Sequence, residues 1–149
     1  MRRTVLTPTG PMTLVEDKSA LVASEWGGDF TEQSDVLVEA ARQLDAYFSG
    51  QLTVFDLTLQ VNGSRFLQDV CGVIAGIPFG ETLTYGDISR ELGVPAQAVG
   101  QACGSNPIPV IIPCHRVLGA SGLGGFSGAG GIETKVWLLK HERAGGLLI

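Results

Sequence analysis

The chain has 149 residues, 44% of them hydrophobic and 17% charged, with a formal net charge of −5 at pH 7. Such a length holds one ordinary domain or two small ones packed together, and no apolar run is long enough to span a membrane. The acidic total excludes a strongly cationic binder, but residues 1–62 carry 9 acidic and 4 basic side chains whereas residues 63–149 carry 6 of each, so a local basic face in the second part stays open.

Met1-Arg2-Arg3-Thr4-Val5-Leu6 lacks the apolar segment of a signal peptide. Between Met1 and Phe30 apolar and polar positions alternate: Met12 and Leu14, then Leu21 and Ala23, flank Glu16-Asp17-Lys18-Ser19, which predicts a β-hairpin. Ser34 can cap a helix through Val36, Leu37, Ala40, Ala41, Leu44 and Phe48, closed by Gly50. Phe55-Asp56-Leu57-Thr58-Leu59 reads as a further strand. The pattern breaks at Val61-Asn62-Gly63-Ser64, a linker dividing an α/β unit, 1–62, from a mainly helical one, 63–149.

In the second part Phe66, Leu67, Val70, Val73, Ile74 and Ile77 share a helical face, with Ser64 as cap and Pro78 as stop. Thr84 followed by Asp87 is a capping-box pattern opening a helix to Leu92. Gly93 and Pro95 then turn the chain into a second helix through Ala102. Tyr85 to Ala102 thus has helix-turn-helix spacing, with Ile88, Leu92 and Val99 inward and Ser89 at the crossing. The same pattern also describes helix corners of all-α cores. A last helix is predicted from Glu133 to Arg143.

The chemistry concentrates in Asn106-Pro-Ile-Pro-Val-Ile-Ile-Pro-Cys-His-Arg-Val117. A stiff prolyl and aliphatic run sets Cys114 directly after Pro113 and beside His115, one of only two histidines. That suggests a fixed, activated sulfur of depressed pKa, against the bland alternative of a core cysteine. Three cysteines without paired spacing imply no disulfide framework and fit a reducing cytoplasm. Cys71 and Cys103 read as core residues. No Cys/His spacing suits a metal.

Gly80-Glu81-Thr82-Leu83-Thr84-Tyr85-Gly86, Ala98-Val99-Gly100, Asn106-Pro107, Pro113-Cys114-His115-Arg116-Val117 and Lys135…Leu138-Leu139…His141-Glu142 together resemble the O6-alkylguanine-DNA alkyltransferases, in that family's order and approximate spacing. The likeness covers 63–149 and extends more weakly into Leu44…Tyr47-Phe48-Ser49-Gly50…Phe55-Asp56-Leu57. It implies a small, RNase H-like α/β N-terminal domain and a mainly α C-terminal domain with a helix-turn-helix docked in the minor groove. The implied activity is direct repair of O6-alkylguanine, and of O4-alkylthymine, in double-stranded DNA. The base is flipped out and its alkyl group passes irreversibly to Cys114, once per molecule, with no cofactor, metal or membrane, by a monomer.

The resemblance further implies roles. His115 takes the thiol proton through a bridging water, Glu142 orients His115, Tyr85 rotates the target phosphate and protonates the leaving guanine, and Asn106 ties the helix-turn-helix to the cysteine segment. Thr84, Tyr85, Gln97, Ala98, Gly100, Gln101 and Arg116 fall at DNA-contacting positions, although Arg116 also suits structural hydrogen bonds. Val117, Gly124, Phe126, Ser127 and Lys135 line the guanine pocket or its rim. Gln97 stands where the family usually has an arginine that fills the vacated base position, and Phe126 where many relatives have a tyrosine. The loop 124–131 is longer than the usual form. Two rivals remain: a lesion sensor that does not repair, and a cysteine hydrolase using Cys114, His115 and Glu142, for which the sequence offers no oxyanion hole.

Overall fold

The structure, a computed structural model, describes residues 1–126 and 130–144. Strands β1 (Arg2–Thr7), β2 (Gly10–Asp17) and β3 (Ala20–Trp26) form an antiparallel sheet in the order β1-β2-β3. The expected hairpin is β2–β3. Its tight turn places Lys18 at φ 51° and Ser19 at φ 65°, the left-handed pair whose twist matches that of the strands. Met12, Leu14 and Leu21 project into the core with no exposed surface.

Helix α1 (Asp35–Phe48) starts where Ser34 Oγ accepts a hydrogen bond from the Leu37 N–H at 3.2 Å, the bond that satisfies an otherwise orphaned first-turn donor. It packs on the sheet with Leu37, Ala40 and Leu44 buried, while Tyr47 near its end meets Phe55, Phe79 and His141. The strand expected over 55–59 does not form. Only Leu59 bridges to Leu21, and the reason lies one helix away. Gln43, buried on α1, accepts from the Asp56 N–H at 2.8 Å and donates to the Asp56 carbonyl at 2.9 Å. A side-chain amide thus satisfies backbone groups that a ladder would otherwise pair.

Helix α2 (Arg65–Ala75) is capped by Ser64 and stops at Gly76, shortly before Pro78. Strand β4 (Leu83–Thr84) leads straight into α3 (Tyr85–Leu92), whose capping box is complete. Thr84 Oγ1 accepts from the Asp87 N–H at 3.0 Å, and Asp87 accepts from the Thr84 N–H at 2.8 Å. Gly93 ends α3 at φ 67°, a left-handed cap suited to glycine. Helix α4 (Ala96–Gly104) then packs across α3 and α2, giving the expected helix-turn-helix. Strand β5 (Val117–Leu118) pairs in parallel with β4, Leu83 opposite Val117 and Thr84 opposite Leu118. That short ladder fixes the start of α3 against the end of the cysteine segment. Helix α5 (Ile132–His141) closes the described chain, with Glu142 as its C-cap.

One apolar cluster runs through both parts, from Met12, Leu14 and Leu44 to Val70, Ile108 and Leu138. Polar ties reinforce it. Ser24 on β3 donates from its N–H to the Pro107 carbonyl at 3.0 Å and from its hydroxyl to the Pro109 carbonyl at 2.8 Å. The small sheet-and-helix unit is therefore bonded directly to the segment that carries the thiol.

Candidate active site

The chain from Asn106 to Pro113 is a closed loop that holds Cys114. Asn106 Nδ2 donates to the Ile112 carbonyl at 2.8 Å while its Oδ1 accepts from the Ile108 N–H at 3.0 Å, so one amide pins both ends. Between them Val110, fully buried, sits at φ 73°, a left-handed conformation that is strained for a β-branched residue. Pro113 opens a single 3₁₀ turn, Cys114–Arg116, in which the Arg116 N–H donates to the Pro113 carbonyl at 2.9 Å. The cysteine that results is fixed and only 8% exposed.

Behind the turn lies a buried polar hub centred on Glu142. Its carboxylate accepts from Tyr47 Oη at 2.6 Å, from His115 Nε2 at 2.7 Å, and from Arg116 Nε and Nη2 at 2.7 and 2.9 Å. Burial alone would raise the Glu142 carboxyl, but the hydrogen bonds from His115 and Arg116, with that from Tyr47, outweigh it and hold the group at about 2. Burial also lowers the His115 imidazole below its ordinary value, against the pull of Glu142, so the ring is neutral. An ionised acceptor at Nε2 fixes the tautomer: Nε2 carries the proton and Nδ1 keeps its lone pair. Among the described residues His115 Nδ1 is buried without a hydrogen-bond partner.

This corrects the DNA-contact reading of Arg116. Its side chain is 7% exposed, and Nη1 donates to the Ile77 carbonyl at 2.6 Å while the other nitrogens hold Glu142. The guanidinium balances the hub's charge and is spent on these buried partners. Tyr47 is the hub member that sequence reasoning missed. Its phenol, raised by burial above the ordinary range, stays protonated and donates across the two parts. The available signal was a phenol at the end of an otherwise aliphatic face of α1, because a buried tyrosine hydroxyl requires a partner.

The expectation of a depressed Cys114 pKa is also overturned. Burial pushes the thiol above its ordinary value, and the Asn106 hydrogen bond and the Lys135 charge offset this only in part. The resting group is a thiol, ionised only when a base takes its proton. Iodoacetamide labelling of Cys114 in the free protein, followed by peptide mass spectrometry, is accordingly expected to be slow at neutral pH. It should accelerate only above the free-thiol range near pH ~8.5. Rapid labelling at pH 7 would contradict the burial argument.

In front of the sulfur is a cavity of about 460 Å³ lined by Tyr85, Gly100, Cys103, Gly104, Gly125 and Phe126. Tyr85 and Phe126 thus line one cavity, together with Cys103 and Gly104, which the sequence reading did not include. Burial raises the Tyr85 phenol, which stays protonated. Gly124, at φ 72°, passes so close to Tyr85 that an added Cβ would lie 2.9 Å from the ring, an approach only glycine permits. Lys135 is fully buried rather than solvated, and donates from Nζ to the Val117 carbonyl at 2.6 Å and the Gly125 carbonyl at 3.1 Å. Burial lowers its ammonium to about 8. Val117 is likewise buried and meets the site through that carbonyl, not as pocket lining. Ser127 lies outside the described residues.

On α4, Gln97 and Gln101 are exposed one turn apart, Gly100 faces the cavity, and Ala98 is half-buried in the first turn. Thr84 is occupied as the cap of α3. Of the six basic residues in 63–149, Arg116 and Lys135 are buried, and Arg65 and Arg90 pair with Asp69 and Asp87. The helix-turn-helix thus presents amides and small residues rather than a cationic face.

Comparison with known proteins places this geometry in context. Residues 1–61 match the 6-O-methylguanine DNA methyltransferase ribonuclease-like domain, and residues 65–144 match the DNA binding domain of the same family. A methylated-DNA–protein-cysteine methyltransferase of Mycobacterium bovis is 41% identical over 157 aligned positions, covering 95% of this chain and 92% of that protein. The crystal structure of Mycobacterium tuberculosis O6-methylguanine methyltransferase is similar, with a TM-score of 0.85, 41% identity, and coverage of 99% of this chain and 96% of that one. A second structure of the Mycobacterium tuberculosis protein, in complex with DNA, gives a TM-score of 0.86 at 42% identity, covering 97% and 95%.

Proposed function

The chain belongs to the 6-O-methylguanine DNA methyltransferase family, and from that premise we propose that Cys114 is its alkyl acceptor and that O6-alkylguanine, flipped out of duplex DNA, is its substrate. It binds DNA and repairs it as a methylated-DNA–protein-cysteine methyltransferase. The observation that carries the residue assignment is the buried His115 Nδ1 lone pair behind a thiol that opens into a cavity of about 460 Å³.

A base inside the stack cannot present its O6 substituent in line to a protein nucleophile, so extrusion comes first. Gln97 and Gln101 on α4 face the duplex, and Gln97 occupies the space the base leaves. His115 Nδ1 removes the Cys114 proton through a bridging water. Glu142 holds the imidazole in the required tautomer and stabilises the imidazolium that forms. The sulfur then forms its bond to the alkyl carbon as the carbon–O6 bond breaks, and the electron pair leaves on guanine. Tyr85, a protonated phenol at the cavity wall, supplies the proton that neutralises the departing base. Asn106 and the Lys135 ammonium both favour the anionic sulfur. A thioether is not readily displaced, so each molecule acts once. The protein works as a monomer in the cytoplasm, where its three thiols stay reduced.

The deciding experiment is intact and peptide mass spectrometry after incubation with a duplex carrying one O6-methylguanine. A single methyl on Cys114, absent in Cys114→Ser, is the expected result. Retained binding of the lesion with no mass change would make the chain a sensor instead.

Gln97 also gives a quantitative expectation. An arginine there adds one cation to a helix that carries none, so Gln97→Arg should tighten duplex binding and speed lesion capture. It should steepen the slope of log affinity against log salt by about one. Unchanged slope and rate in a salt titration would remove Gln97 from the DNA face.

A further inference from the structure

The donors around Glu142 are unevenly shared between its two oxygens. Oε2 accepts from Tyr47 Oη at 2.6 Å, from His115 Nε2 at 2.7 Å and from Arg116 Nη2 at 2.9 Å, while Arg116 Nε goes to Oε1 at 2.7 Å. A carboxylate oxygen has two lone pairs, so three donors divide what Oε2 can give. Tyr47 and His115 have no exposed surface and Glu142 is 2% exposed, a depth at which the low dielectric strengthens each bond.

Tyr47 reaches this oxygen from α1, and contacts that do not involve its hydroxyl hold it in place. Its ring centroid lies 5.1 Å from that of Phe48, 5.4 Å from Phe55, 6.2 Å from Phe79 and 5.0 Å from the His141 imidazole, and its carbonyl accepts from His141 Nε2 at 2.7 Å. The two parts of the chain are therefore joined here without the phenol oxygen. Burial and the Glu142 charge keep the phenol protonated, so it stays a donor.

On taking a proton His115 becomes a cation, and its hold on Oε2 strengthens. Charge that the phenol has already drawn from that oxygen is unavailable to the cation. The other groups facing the imidazole are the Arg116 guanidinium and the Lys135 ammonium, which oppose its protonation, and the adjacent Cys114 thiol. Resting on the alkyl-transfer reading above, we propose that Tyr47 is a positioning residue for that reaction: its phenol tempers the Glu142 oxygen that His115 also bonds, so the imidazole stays neutral with Nδ1 free for the Cys114 proton. The hydroxyl thereby gives the N-terminal part a share in the chemistry that packing alone would not supply.

The test grades the donor while keeping the ring. Three full chains are compared: the wild type, Tyr47→Phe, and one with Tyr47 exchanged for 3,5-difluorotyrosine, whose more acidic phenol donates more strongly. Single-turnover methyl transfer is followed with saturating O6-methylguanine duplex from pH ~4.5 to ~7.5, a range in which Glu142, at about 2, is ionised and Lys135, at about 8, is charged. His141 and its bond to the Tyr47 carbonyl are common to the series. The acid limb is expected about one unit higher in Tyr47→Phe, slowing transfer at pH ~5 by up to tenfold while the rate at pH ~7.5 stays within about threefold, and lower in the difluoro chain. The His115 Nε2–H proton resonance of histidine-labelled protein, assigned with His141→Gln, should move downfield in Tyr47→Phe and upfield in the difluoro chain as its bond to Oε2 strengthens or weakens. A resonance unchanged or displaced in the reverse order would overturn the assignment. So would a resonance that moves while the three rate profiles coincide, since the bond would then serve structure alone. Absence of methyl transfer in the wild type would instead overturn the function on which the proposal rests.

Discussion

Glu142→Gln is expected to slow alkyl transfer by about 10²- to 10⁴-fold, in line with loss of the carboxylate from other carboxylate–imidazole pairs. A neutral glutamine no longer stabilises the imidazolium, and wherever its NH₂ takes the place of Oε2, the oxygen that Tyr47 and His115 share, Nε2–H has no acceptor, so the ring adopts the other tautomer and loses its free lone pair at Nδ1. The same change leaves the Arg116 guanidinium buried beside a neutral group, a situation that costs about 3–5 kcal/mol. Stability and catalysis should fall together, and acid separates them. In the wild type the Glu142 carboxyl titrates at about 2, well below the ordinary value of 4.5. A depressed carboxyl stabilises the fold above its unfolded pKa, and this contribution is lost as pH falls through the folded one. The wild type should therefore lose about 3 kcal/mol between pH ~4.5 and ~2 through this group. Glu142→Gln should lack that component. Denaturant melts across this window and single-turnover rates at pH 7 check both halves. A variant as active as the wild type would disprove Nδ1 as the base.

The hub also marks the limit of what the sequence revealed. His115 and Glu142 were legible from the resemblance, because the motif quotes both. Tyr47 was not, since nothing local ties a phenol on α1 to a carboxylate 95 residues away. Arg116 carried two readings, a DNA contact and structural hydrogen bonds, and its partners decide for the second: a bidentate carboxylate with a backbone carbonyl makes burial tolerable. Caps and turns were read well where one side chain decides the outcome, as at Ser34, Ser64 and the Thr84–Asp87 box. The segment 55–59 failed because Gln43, distant in sequence, satisfies the backbone there. The Cys114 pKa failed because a sequence shows charged neighbours but not the depth at which a thiol lies.

Lys135 carries the second large effect. Its ammonium is the link between three segments: β5 through the Val117 carbonyl, the pocket loop through the Gly125 carbonyl, and the Tyr85 ring, whose centroid is 6.0 Å from Nζ. Lys135→Met keeps most of the buried volume and removes the charge and its donors. Two carbonyls then lose a buried partner, destabilising the fold by about 1–3 kcal/mol. The thiolate and the departing guanine each lose a nearby cation. Transfer should slow by about 10- to 100-fold, the size expected when one positioned charge that favours developing negative charge is removed. Lys135→Arg is the discriminating control. It restores charge but cannot place a compact ammonium between two carbonyls, so its rate should fall between the two. The pH profile separates a charge effect from loosening of the loop. An ammonium at about 8 loses its influence as pH rises through that value, so the gap between wild type and Lys135→Met should narrow above pH ~8 as the wild-type lysine neutralises. A gap that stays constant to pH 10 would mean that Lys135 acts only by holding Gly125 and Val117 in place.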